Sequence, residues 1–126
     1  MEEMYSKSRL REISNDRRGS IFKRAFTNKD YWFVEMRMGT LRGGHYHNCE
    51  TQHLVIQGKI RFELFDPLTR EKRRVTAVPM DVICVKAGIA HLLEALTDSM
   101  FIEPGGKKGT VDFAPQRARV QQLLKN

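Results

Sequence analysis

Short runs in which apolar and polar residues alternate recur along most of this chain, separated by turn-forming residues. Between Lys59 and Phe65, Ile60, Phe62 and Leu64 alternate with Arg61 and Glu63, the period-two pattern of a strand with one buried face. Tyr31–Met38 repeats it, with Val34, Met36 and Met38 on one side and Glu35 and Arg37 on the other. Further strands are predicted over Ile21–Phe26, Gln52–Gln57, Arg73–Val78, Asp81–Val85, Leu92–Leu96 and Met100–Glu103. Gly58 parts two of them and marks a bend. Short strands punctuated by turn signals predict an all-β sandwich or barrel. Pro104–Gly109 reads as a flexible break. After it, Pro115–Lys125 places Val120, Leu123 and Leu124 at helical spacing behind an early proline, predicting a short C-terminal α-helix. One domain over residues 1–126 is expected: N-terminal strands or an arm over 1–30, a barrel core over 31–103 and the helical segment over 110–126. The N-terminal part would add edge strands or cross to a partner subunit.

Composition narrows this little but usefully. A chain of 126 residues can bury a core without staples. No apolar stretch nears the ~20 residues that span a bilayer, and MEEMYSKSRLREISNDRRGS is too polar for a secretory signal, so a cytoplasmic location is expected. Cys49 and Cys84 are too few for a disulfide framework; Cys49 reads as a loop thiol and Cys84, inside Val82–Val85, as a core residue. The net charge of +7 points to an anionic partner, whether phosphate, nucleic acid or an acidic substrate, and a small-molecule substrate, anionic or phosphate-bearing, is the partner expected. The densest basic run, Arg70–Arg74, follows the turn-like Asp66-Pro67-Leu68-Thr69 and reads as an exposed hairpin tip. No basic helix interleaved with aromatics and no zinc-finger spacing is present, so nucleic acid is not the expected partner, and neither is a membrane.

The candidate chemistry lies in the histidines. All four, His45, His47, His53 and His91, fall where one site can use them. A His-x-His pair on a strand projects two imidazoles to the same side, and a later strand can bring back a third. Imidazole is the commonest metal ligand and the usual acid or base near neutral pH. Ligation this rich in nitrogen suits zinc, iron, nickel or copper better than calcium or magnesium.

These residues also carry a resemblance. Gly39, His45, His47 and Gly58 follow the order and spacing of the first motif of the cupin superfamily, and Gly88 and His91 those of its second. The resemblance covers Gly39–Glu103 and implies an all-β fold, a small β-barrel of jelly-roll topology with two sheets. Four positions depart from it: Thr51 stands at the glutamate ligand, Met80 at a glycine, Lys86 at a proline and Ala95 at an asparagine. The resemblance implies a metal held by His45, His47 and His91 with a fourth ligand from Glu50, Gln52 or His53; Gln52 is assigned to the expected ligand set. His53 shares strand parity with Thr51, so it should face the barrel interior.

A narrower resemblance concerns function. Asp16-Arg17-Arg18-Gly19-Ser20 and Arg42-Gly43-Gly44-His45-Tyr46-His47 are similar to segments of cupins that act on nucleotide-linked sugars, such as ketoisomerases, epimerases and the cupin domains of capsular-sugar reductases. It implies isomerisation or epimerisation, with His45 as base, His47 as its partner, and Arg42 and Arg18 at the substrate's phosphates. Moving a proton beside a ketone needs a base with a pKa near the working pH and a donor or metal to stabilise the enolate. Tyr46 has the wrong parity to serve as the opposing acid, which leaves Tyr31. Two other functions fit the resemblance: a metal-dependent dioxygenase holding iron on His45, His47 and His91, and a non-enzymatic cupin that binds a small molecule or metal. Cupins are often dimers, and exposed sheet edges are commonly covered by another chain, so a homodimer is expected.

Overall fold

The structure, a computed structural model, describes residues 4–105 and 108–125. Gly106 and Lys107 of the expected break, together with Met1–Glu3 and Asn126, lie outside the described residues. The first strands are β1 (Arg11–Asp16), β2 (Gly19–Phe26), β3 (Lys29–Met36), β4 (Leu41–His47), β5 (Thr51–Gln57) and β6 (Ile60–Phe65). They are followed by β7 (Lys72–Ala77), β8 (Val82–Val85), β9 (Ala90–Ala95), β10 (Ser99–Pro104), β11 (Thr110–Asp112) and the helix α1 (Ala114–Lys125). Among the described residues, no helix is long and apolar enough to cross a membrane.

The strands form two antiparallel sheets, one of six strands in the order β1-β2-β3-β10-β5-β8 and one of five in the order β11-β4-β9-β6-β7. This is the jelly-roll arrangement expected, because each sheet has one apolar face to bury and the other sheet covers it. Val34 and Met36 of β3, Val55 of β5, Ile60 and Phe62 of β6, Leu93 and Ala95 of β9 and Phe101 of β10 make one core between the sheets. The apolar residues fill one end of the barrel. At the other end the same interior-facing positions carry Trp32, His53, Glu103, His45, His47 and His91.

Departures from the expected pattern have local causes. β3 ends at Met36, so Met38 leaves the alternation and is 68% exposed. Cys84 is exposed rather than in the core; it sits on the edge strand β8 opposite Gln52, with the parity that faces outward. β1 carries REISND, too polar to announce itself by alternation, and is held by pairing with β2. β11 has three residues and is defined by its ladder to β4, not by its sequence. Glu63 alternates as expected but is buried, ringed by Lys72, Arg74 and Arg119.

Two turns depend on unusual backbone. Thr27 and Asn28 both have positive φ, 48° and 66°, the two-residue hairpin geometry that matches strand twist. Met80 has φ 84°, a conformation that costs a residue with a Cβ on the order of 1–3 kcal/mol. That turn keeps the shape for which the resemblance expects a glycine, although a methionine stands there.

The helix α1 closes the five-stranded sheet from outside. Its Arg117 Nη1 donates to the Gly43 carbonyl on β4 (3.0 Å) and its Gln116 Nε2 to the Glu63 carbonyl on β6 (3.4 Å). The helix therefore crosses β9, which lies between them, and this accounts for the burial of Leu92 on the face opposite His91 and Leu93. Val120, the first residue of the expected apolar stripe, is fully buried, while Leu123 and Leu124 are half-buried.

Candidate functional site

The site begins with an irregularity in β4. Arg42 and His45 are three apart and would face opposite sides of a regular strand. The register with β9 slips between Gly43 and His45: Arg42 lies opposite Leu93, Gly43 opposite Leu92 and His45 opposite His91. Gly44 is the extra residue, and Gly43 and Gly44 have φ 93° and 84°. This β-bulge turns both Arg42 and His45 inward. Only glycine fits Gly44, since a Cβ there would lie 2.8 Å from Arg117 Cα in α1.

With that bulge in place, β4 and β9 bring three imidazoles together. Ring centroids are 4.7 Å apart for His45–His47, 5.0 Å for His45–His91 and 5.1 Å for His47–His91. One ligand nitrogen from each lies within 4.8 Å of the others. The His91 Nδ1–H donates to the Ile89 carbonyl (3.3 Å), and His47 Nδ1 is hydrogen-bonded to Thr110 Oγ1 of β11 (2.9 Å). Such bonds fix the rings and leave Nε2 of each as the free donor. Burial, followed by the neighbouring His53 and His45, pushes the His91 pKa down to about 3. Burial and then His45 lower that of His47 to about 4. Burial and Arg117 lower that of His45. All three rings are therefore neutral at ordinary pH, the state a metal ligand needs. A divalent transition metal fits this donor set.

Of the three residues expected to supply a fourth ligand, the structure turns only His53 inward. Gln52 is exposed on the outer face of β5, one residue out of phase with Thr51 and His53, so it is not brought to the cluster. Glu50 is exposed too, and pairs with Lys86 at 2.6 Å. His53 faces inward as its parity predicts, 2% exposed, with its ring centroid 5.6 Å from that of His91. Its Nε2 lies 3.3 Å from Glu103 Oε2. Glu103, at the end of β10, is an interior carboxylate that the motifs do not announce. Its signal was the alternation with Phe101, which puts both on the inner face. Burial pushes the Glu103 pKa up, but the His53 hydrogen bond and nearby positive charge outweigh it, leaving the carboxyl below its usual range.

These groups line an open cavity of about 430 Å³, within the size range of small-ligand sites. Arg18, Arg42, Lys108 and Arg117 also line it. Asp16 binds Arg18 through two carboxylate oxygens, and this pairing holds the Asp16 pKa at about 2. Arg42 is 7% exposed and donates only to the backbone carbonyls of Glu35 and Gly19. Among the described residues, no carboxylate lies within ion-pair distance of it. Burial and the adjacent Arg18 charge lower its pKa to about 10. Neither Tyr31 nor Tyr46 is among the cavity-lining residues.

No family model matches the chain, and no curated protein sequence matches it. Solved structures do. CapF, the capsular polysaccharide assembling protein of Staphylococcus aureus, superposes with a TM-score of 0.71 at 19% identity, over 84% of this chain and 32% of that one. Oxalate decarboxylase of Lactobacillus farciminis, solved as a formate complex, gives 0.67 at 15% identity over 93% of this chain and 38% of that one. Oxalate decarboxylase of Bacillus subtilis, with its Mn(II) centers, gives 0.67 at 20% identity over 92% and 34%. This chain has the cupin fold. It spans about a third of the length of the solved structures it matches. Within this cupin barrel, the three-histidine cluster suited to a divalent metal sits at the open end, and Thr51 at the expected glutamate position is buried with its Oγ1 unpartnered.

Proposed function

We propose that this cupin binds a divalent transition metal through His45, His47 and His91 and acts on a small anionic sugar derivative, moving a proton on a carbon beside its carbonyl. The observation that carries the reading is Arg42. A guanidinium this buried without a carboxylate partner is costly, and it lines the same cavity as the three imidazoles. An anionic substrate completes that charge arrangement, and guanidinium fits phosphate or carboxylate by paired hydrogen bonds. Three neutral ligands, with Thr51 in place of a carboxylate, leave the metal's charge uncompensated and favour an anion still further.

A divalent metal held there supplies Lewis-acid stabilisation of the substrate oxygen where negative charge develops. The chain's own residues do the rest. Arg42 and Arg18 anchor the anionic group. Glu103 accepts and returns the proton, held in place by His53. With metal bound, His45 and His47 are committed as ligands; without it, His45 is free for the role of base that the sugar-modifying resemblance implies. The cupin dioxygenase alternative uses the same three ligands but gives no task to Glu103 or to the unpaired Arg42.

Two measurements test this. Elemental analysis of protein purified without added metal should find a transition metal approaching one per chain. Incubation of that protein in deuterium oxide with nucleotide sugars and sugar phosphates should place deuterium on the carbon beside the carbonyl of at least one of them. Metal-free protein that no divalent metal stabilises against heat would refute the metal centre. Full metal loading with no exchange, and no thermal shift with any anionic sugar, would refute the substrate class.

A further inference from the structure

A second recess lies on the outside of the five-stranded sheet, between the β6–β7 hairpin and the start of α1. It has a volume of about 550 Å³ and shares no lining residue with the barrel cavity. Its floor is Glu63, 8% exposed. Around that carboxylate stand Arg119 at 3.0 Å, Arg74 at 3.3 Å and Lys72 at 3.4 Å. Arg70 lines the recess from the hairpin tip and has no ion-pair or side-chain hydrogen-bond partner among the described residues. Three cations thus surround one acid and Arg70 adds a fourth to the recess, more positive charge than Glu63 balances.

The walls are shaped as well as charged. Phe65 of β6 and Phe113, just before α1, stack with centroids 5.0 Å apart and planes 20° from parallel, and both line the recess. The hairpin that carries Arg70 is tied down: the Arg70 amide donates to the Asp66 carbonyl (2.7 Å), the Asp66 amide to the Glu71 carbonyl (2.9 Å) and the Leu68 amide to Asp66 Oδ1 (2.9 Å). The basic run Arg70–Arg74 therefore presents its charge from a fixed turn, beside a ready-made aromatic platform.

We propose that this recess is a second binding site, for an anion that carries a planar ring, of the nucleoside monophosphate class. Arginines fit a phosphate group by paired donors, and phenylalanine rings take a base by stacking. The two features occur together in this recess. The proposal is independent of the metal centre and of the chemistry assigned to the barrel.

The test is a titration of the full chain, followed by backbone amide shifts, with adenosine 5′-monophosphate, ribose 5-phosphate, adenosine and a short single-stranded oligonucleotide as probes. The monophosphate should bind with a Kd of about 1 mM or tighter, and the shifts should map to Phe65–Lys72 and Phe113–Arg119. Ribose 5-phosphate and adenosine should each bind about tenfold more weakly, since each lacks one of the two recognised groups. Arg70→Ala should weaken the monophosphate about tenfold with no change in melting temperature, because the side chain has no structural partner. Phe113→Leu should weaken the monophosphate and leave ribose 5-phosphate unchanged. No shift at about 10 mM monophosphate, shifts centred on the barrel histidines, or wild-type affinity in Arg70→Ala would each overturn the proposal. So would tight binding of the oligonucleotide by a protein that ignores the monophosphate.

Discussion

On the five-stranded sheet the barrel cavity is faced by His45, His47 and His91, three imidazoles kept neutral; on the six-stranded sheet it is faced by Glu103 and His53, a carboxylate beside an imidazole. Both walls are buried, and burial alone penalises charge on either. The neighbours decide the difference. Each histidine of the first wall has other imidazoles nearby, and His45 and His47 also have Arg117 and Lys108 respectively, so a proton on any of them is opposed. Glu103 has His53 at hydrogen-bond distance and Lys108 nearby, so its charge is supported. One wall is thus kept neutral, with ring electron pairs free for a cation, while the other keeps a carboxylate charged. Thr51, at the position where the resemblance expects a glutamate, brings no carboxylate to the barrel interior.

The largest expected effect comes from breaking the imidazole wall. His91→Ala should lower affinity for zinc or nickel by about 100-fold or more, beyond the 10–100-fold typical of losing a supporting residue around a metal. Gln52→Ala, on the outer face of β5, should leave that affinity unchanged. Isothermal titration of the two variants against the unmodified chain checks both. Undiminished binding in His91→Ala would show that the first wall is not the ligand set.

The contrast between the walls also explains what could be read from the sequence. The His-x-His pair and the Gly-x-x-His element are local patterns on strands whose alternation is plain, so His45, His47 and His91 were legible together. His53 was legible as an interior residue by parity alone. Glu103 was not legible as its partner, because that pairing depends on β10 lying next to β5 in the sheet, a long-range fact with no local signature. Gln52 was assigned one residue out of phase, and in a strand one residue is the whole distance between inside and outside. The bulge at Gly43 and Gly44 went unread for the same reason: two glycines announce freedom, while the slip against His91 and the closeness of Arg117 that require them belong to other elements.

Breaking the carboxylate wall should have a smaller and separable effect. Glu103→Gln keeps the shape and a hydrogen-bonding group for His53 while removing the charge. Metal affinity should stay within about threefold of the unmodified chain, the change expected when only a distant charge is lost in a screened site. The rate of deuterium exchange into the substrate should fall by about 10²–10⁴, the usual contribution of a positioned acid or base. Loss of metal with the carboxylate would mean that the two walls are a single site. An unchanged exchange rate would leave Glu103 a structural partner of His53 and nothing more.

The gentlest probe of the same contrast is pH, applied to metal-free protein. An unfolded histidine takes up a proton below about pH 6.5. In the folded chain His47 does so only near about 4 and His91 near about 3. Between these limits the unfolded state binds more protons, so stability must rise with pH. The contribution is fully present above about pH 6.5 and is lost as pH falls through the folded values. For the deeply buried His91 the slope within that window is about 1.4 kcal/mol per pH unit at most. The other wall acts in a lower window. Glu103, held below its usual value of 4.5, adds stability that is present above that value and lost only as pH drops beneath it. Melting curves between about pH 4.5 and 6.5 therefore isolate the imidazole wall, and His91→Ala should flatten them there while Glu103→Gln should not. Equal flattening by both substitutions would mean that the walls titrate as one coupled unit.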